Sequence, residues 1–151
     1  MIVVPDSNIF IAQVVSLDYT EAAEQKLTEW LERGTELVVP SLWSYEIVSA
    51  LRKAMTVGLL TQEQVKQGLD AIFSFNIREV PPSTQLHQNA LHWAVQLQQT
   101  VAYDAAFLAL ADSLGADFWT ADKRLFNTCQ RLQLQWVYSL QELDTIEKNE
   151  S

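Results

Sequence analysis

Residues 1–10, MIVVPDSNIF, carry the reading on which the fold turns. Ile2–Pro5 is a short run of apolar, mostly β-branched residues, the pattern of a strand buried on both faces. It ends on an acid, Asp6. Residues 116–126, ADFWTADKRLF, show the same arrangement: Asp117–Thr120 reads as a buried strand and Asp122 follows it. Leu37–Val39 is another such run, stopped by Pro40. Beyond it, in VVPSLWSYEIVSALRKA, lies Glu46. A fourth acid, Asp104, opens the long apolar stretch of TVAYDAAFLALA.

Between the strands the period changes to that of helices. A helical stretch follows from about Ser7 to Val15. Residues Thr20 to Arg33 place Ala23, Leu27, Trp30 and Leu31 on one face, and Gly34 ends that helix. Ser41 is placed to cap the next helix, which carries Ile47, Val48, Leu51 and Met55 on one side and closes at Gly58. Thr61 with Gln64 resembles a capping box, opening a helix with Val65, Leu69 and Ile72. Asn76–Val80 reads as a weak third strand before Pro81-Pro82. Thr84–Gln99 forms a helix with Leu86, Ala90, Trp93, Ala94 and Leu97 on one side. Asp104–Leu114 is apolar nearly all round, as a central helix is, and Gly115 ends it. A short helix from Asp122 and a fifth strand around Leu134–Val137 complete the pattern. Strands alternating with helices predict a single α/β domain over residues 1–145, with a mainly parallel five-stranded sheet flanked by helices and a polar tail at 146–151.

The chain has 151 residues, 48% of them hydrophobic, and a formal charge of −9. That places it with globular domains and away from disordered chains. No apolar run reaches the roughly 18–20 residues of a membrane span. With no targeting segment at the start, a cytoplasmic location is expected. The single cysteine, Cys129, forms no intrachain disulfide and reads as a packed thiol. His87 and His92, five apart on one helix, are poorly spaced for joint metal ligation.

In a parallel sheet, ligands bind beyond the carboxyl ends of the strands, where strand order reverses. Asp6 and Asp122 leave such ends, Glu46 lies about one turn into the helix after the second strand, and Asp104 heads a helix leading into the fourth. Gathered carboxylates repel and raise one another's pKa. A hard cation, Mg²⁺ or Mn²⁺, relieves this, and it can activate water and stabilise charge on a phosphoryl oxygen. Phosphodiester hydrolysis is the natural chemistry. Ser7, Asn8 and Thr120 border the same crevice and offer contacts to metal-bound water or a phosphate.

PDSNIF, the glutamate of SYEIVSAL, YDAAFLALA and TADKRL, in this order, resemble the four motifs of PIN-domain proteins. Within that family the chain looks most like the VapC-type toxins of bacterial toxin–antitoxin pairs. The resemblance spans nearly the whole chain. It implies a metal-dependent endoribonuclease in which Asp6, Glu46, Asp104 and Asp122 are catalytic and hold one or two Mg²⁺ or Mn²⁺ ions. It also implies an RNA substrate, a homodimer, and a small antitoxin protein whose segment occupies the active-site groove.

Blander roles compete. Asp6, Asp104 and Asp122 are each readable as helix caps, and Glu46 as a solvated helix residue. A charge of −9 sits awkwardly with phosphate binding, although Arg52, Lys53, Lys123 and Arg124 lie close in sequence to the acids. Trp43 and Trp119 are the tryptophans placed to stack on a base. A haloacid-dehalogenase-type phosphatase needs an Asp where this chain has Asn8. The alternative that remains is a non-catalytic or solitary PIN-like domain that binds RNA or a protein partner.

Overall fold

The computed structural model describes residues 1–141. In chain order the elements are β1 (Ile2–Pro5), α1 (Ser7–Ile11), α2 (Thr20–Glu32), β2 (Glu36–Pro40), α3 (Leu42–Thr56) and α4 (Gln62–Phe73). They continue with β3 (Ile77–Val80), α5 (Thr84–Leu97), α6 (Tyr103–Leu114), β4 (Asp117–Thr120), α7 (Lys123–Arg131) and β5 (Val137–Ser139). All strand pairings are parallel, in the order β3-β2-β1-β4-β5. The expected parallel α/β domain is what forms. The expected boundary at residue 145 lies outside the described residues.

β1 is central because its Val3 and Val4 are apolar toward both faces and fully covered. Such a strand gains most where helices close both sides of the sheet. α6 supplies the largest cover: Ala105 and Phe107 through Ala111 are all buried, and the helix packs on β1, β2 and β4 and along α5. Gly115 ends α6 at φ 60, a left-handed conformation that permits the sharp return into β4. On the other flank Phe10 of α1, Trp43 of α3 and Phe73 of α4 interlock edge to face, with ring centroids 5.2 and 5.6 Å apart.

Several local expectations are corrected. Ser41 does not cap α3: its own backbone is helical, and its hydroxyl donates to Val80 O at 3.3 Å, tying α3 to the end of β3. β5 begins at Val137, three residues later than Leu134. Those intervening residues serve the exit from α7, where Gln133 takes φ 61 and Leu134 N returns to Cys129 O at 3.1 Å. α1 stops at Ile11 rather than Val15, and α6 starts at Tyr103 with Ala102 at its cap position, so Asp104 lies inside the first turn. The capping box of Thr61 and Gln64 forms as the sequence predicts.

Candidate active site

β1 has neighbours on both sides, β2 and β4, which arise from different parts of the chain. This is the reversal of strand order at which a parallel sheet opens a crevice. Asp6 stands at its mouth. Its backbone N–H still donates to Trp119 O at 2.8 Å, so the residue is held against β4. Its side chain caps α1, with Oδ1 accepting from Ser7 N at 2.8 Å, and Oδ2 accepts from Thr120 Oγ1 at 2.8 Å. Only 8% of Asp6 is exposed. Burial raises its carboxyl to about 7; the Thr120 hydroxyl opposes this, and the charges of Asp104 and Glu46 add to it.

Glu46 reaches the same place from α3. Ser7 Oγ donates to its Oε1 at 2.7 Å, joining two segments 39 residues apart. Its carboxyl is pushed up by burial, restrained by the Ser7 bond and raised further by Asp104. Asp104 enters from α6, where Gln99 Nε2 donates to its Oδ2 at 2.9 Å. Burial again raises its carboxyl, the Gln99 bond opposes, and Asp122 adds repulsion. Asp122 caps α7, its Oδ1 accepting from Leu125 N at 3.1 Å. Its own N–H donates to Thr120 Oγ1 at 3.0 Å. Asp6 and Asp122 are therefore helix caps and also members of the acid group. Asp104 is no cap.

The four acids line one cleft of about 560 Å³, together with Ser7, Asn8 and Lys53. Thr120, expected to border it, is instead fully buried behind the wall, where its hydroxyl serves Asp6 and Asp122. Asn8 Oδ1 accepts from Ala121 N at 3.3 Å, bracing α1 against the segment after β4. Of the four nearby basic residues, Lys53 lines the cleft. Arg52 turns to Thr56, 2.8 Å away, and Lys123 and Arg124 are not among the lining residues.

Both tryptophans proposed for stacking are otherwise engaged. Trp43 is 2% exposed and lies in the core. Trp119 is held between Lys26, whose ammonium lies 4.2 Å from the ring centroid, and the stacked ring of Tyr138 at 5.0 Å. The aromatic rings at the cleft are Tyr45 and Tyr103, 73% and 57% exposed. Gln99 and Tyr19 escaped the sequence reading. Neither belongs to a strand-end motif, and their approach depends on tertiary packing. Burial, with Asp6 and Asp122 adding charge, pushes the Tyr19 phenol up to about 12. Cys129 is buried, which with Asp104 holds its thiol at about 12 and leaves it unreactive.

The donor set is all oxygen and strongly acidic, the chemistry that Mg²⁺ and Mn²⁺ favour. Among the described residues, no three acidic, His or Cys side chains are arranged as they stand to ligate one ion together. Their oxygens lean instead on Ser7, Thr120, Gln99 and the N–H of Leu125. If a divalent cation binds here, Asp6, Glu46, Asp104 and Asp122 would be the oxygen ligands available to it.

The fold is a parallel α/β sheet with four carboxylates, from strand ends and from α3 and α6, lining one cleft. The PIN-domain model matches residues 3–130, and the chain belongs to the PIN-domain family. It is similar to Ribonuclease VapC3 of Pyrobaculum aerophilum, 29% identical over 126 residues, covering 83% of this chain and 92% of that one. Its fold is similar to a crystal structure from Pyrobaculum aerophilum, with TM-score 0.67 and 20% identity over 93% of this chain and 85% of the other. It is also similar to a toxin–antitoxin complex from Klebsiella pneumoniae, with TM-score 0.64 and 16% identity, covering 89% and 94%. At such identities these structures speak to the fold alone.

Proposed function

We propose that this chain is a metal-dependent endoribonuclease and the toxin component of a type II toxin–antitoxin pair. The observation that carries the reading is the convergence of Asp6, Glu46, Asp104 and Asp122 on one cleft at the switch point of the sheet. The similarity to Ribonuclease VapC3 over 92% of that protein's length supports RNA as the substrate. The fold shared with a toxin–antitoxin complex supports a small antitoxin protein as partner. A homodimer and a cytoplasmic location are part of the same reading. No helix among the described residues is long and apolar enough to cross a membrane.

Asp6, Glu46, Asp104 and Asp122 would hold Mg²⁺ or Mn²⁺. When bound, the ion supplies a lowered pKa for water and charge stabilisation for the phosphate. The protein's part is placement. Thr120 and the Ser7 N–H fix Asp6, the Ser7 hydroxyl fixes Glu46, and the α7 N-terminus fixes Asp122. Lys53 is the basic residue placed to meet a phosphate oxygen in the cleft.

The competing reading, a PIN domain that binds without cutting, draws on the net charge of −9, which opposes phosphate affinity. Incubating purified protein with a mixed RNA pool, in Mg²⁺ or Mn²⁺ and again in EDTA, separates the two. Cleavage that disappears with EDTA is the expected result. RNA left intact under every condition contradicts the nuclease reading.

A further inference from the structure

Gln99 lies five residues before Asp104, in the connection from α5 to α6, outside all four acid motifs. That connection is stiff. Gln98 takes a left-handed φ of 57, its N–H donates to Val95 O at 3.1 Å, and Gln99 N–H donates to Ala94 O at 3.0 Å. The paired bonds close α5 in the manner of a Schellman motif. Since α5 and α6 pack along each other, the backbone of Gln99 is fixed relative to Asp104.

The side chain uses this placement in one direction only. Nε2 donates to Asp104 Oδ2 at 2.9 Å. Oε1 is buried and has no partner. The amide cannot turn over to relieve this, because Oε1 would then face the carboxylate, acceptor against acceptor. A buried acceptor without a donor disfavours the fold. The arrangement therefore stabilises one orientation of Asp104 at some expense to the rest of the molecule, a balance typical of functional sites. Asp104 Oδ1 is left without a protein donor among the described residues.

We propose that Gln99 is a positioning residue for the acid centre: its amide holds one oxygen of Asp104 and so leaves the other directed to a divalent cation. The proposal rests on the metal-dependent reading given above. Ligating carboxylates are commonly held in this way by a neighbouring donor.

The test uses the full-length protein, wild type beside Gln99→Leu and Gln99→Met. Both variants keep the bulk while removing the donor and the orphaned acceptor together. Mn²⁺ affinity is measured by calorimetry, thermal unfolding is followed in metal-free buffer, and kcat and KM are measured on RNA. The expected result is Mn²⁺ binding weakened about 10-fold or more, with kcat reduced, KM little changed, and a metal-free Tm equal to or above wild type. Mn²⁺ affinity within about twofold of wild type overturns the proposal. So does a clear drop of metal-free Tm in both variants, which would make Gln99 a structural tie. If wild type itself takes up no Mn²⁺ and cuts no RNA, the functional reading falls and the proposal with it. Unchanged variants beside an active wild type sink the proposal alone.

Discussion

Thr120 Oγ1 donates to Asp6 Oδ2 at 2.8 Å, joining the carboxyl ends of β4 and β1 behind the wall of the cleft. The same oxygen accepts the N–H of Asp122 at 3.0 Å. One hydroxyl thus fixes two of the four acids, and it does so at a fully buried position. Thr120→Val keeps the shape and removes the hydroxyl. It should destabilise the protein by about 1–3 kcal/mol in urea unfolding at neutral pH, because buried polar groups lose their partner. Thr120→Ser should keep most of that stability. Equal stability of Thr120→Val and wild type would contradict the assigned role.

The raised Asp6 carboxyl makes metal-free stability depend on pH. Folding moves this group from 3.8 to about 7, so between those values the folded state binds the proton that the unfolded state has released. The contribution of this group to stability is then greatest below about 4 and is lost as pH rises through about 7. At roughly 1.4 kcal/mol per pH unit the full effect is on the order of 4 kcal/mol. Asp6→Asn keeps an acceptor for Ser7 N and removes the charge. Its metal-free unfolding free energy should vary much less across pH 4–7 and exceed wild type at pH 8. A wild-type profile that rises with pH over that window would refute this assignment.

Gly68 on α4 is a point of close approach. A Cβ there would meet Val14 Cγ1 at 2.7 Å and Cγ2 at 2.9 Å. Val14 lies in the link from α1 to α2, and its branched side chain turns away poorly. Gly68→Ala gains up to about 1 kcal/mol of helix propensity and loses about 1–3 to overpacking. Net destabilisation is expected in chemical denaturation. The double variant with Val14→Ala should recover it, as a coupled pair does. Stabilisation by Gly68→Ala alone would show that the contact relaxes freely.

Gln98 adopts φ 57 at the end of α5, a conformation that suits glycine. Gln98→Gly should stabilise the protein by about 0.5–1 kcal/mol, read as a higher denaturation midpoint at an unchanged slope. A lower midpoint would show that the Gln98 side chain contributes more than its backbone strain removes.

The central strands and three of the acids were legible because they follow simple rules. Val3–Val4 and Leu37–Val39 are buried on both faces and read as continuous apolar runs, and an acid directly after such a run falls at the sheet's carboxyl end. Glu46 was legible through its short distance from β2. β5 starts later than its apolar run suggests because Leu134 and Trp136 are apolar for a different reason: they pack against the core from the turn after α7. Trp43 looked like a cleft residue because sequence gives proximity along α3 but not the facing of that helix, which turns the indole toward Phe10 and Phe73. Thr120 adjoins the cleft in sequence but does not line it, since strand alternation sends it inward. Gln99 carries no local signal at all. Its contact with Asp104 exists only because α5 and α6 form a packed hairpin.

In the proposed function Asp6, Glu46, Asp104 and Asp122 act as one cleavage centre. The most direct measurement is the Mg²⁺-dependent rate of RNA cleavage by Asp6→Asn and Asp104→Asn, singly and combined, with each variant's fold verified by circular dichroism. Groups that act as a unit are grossly non-additive. Either single variant is expected to lose at least about 100-fold in rate, and the double variant to be little worse than the poorer single. Wild-type cleavage retained by either folded single variant would contradict the proposed function.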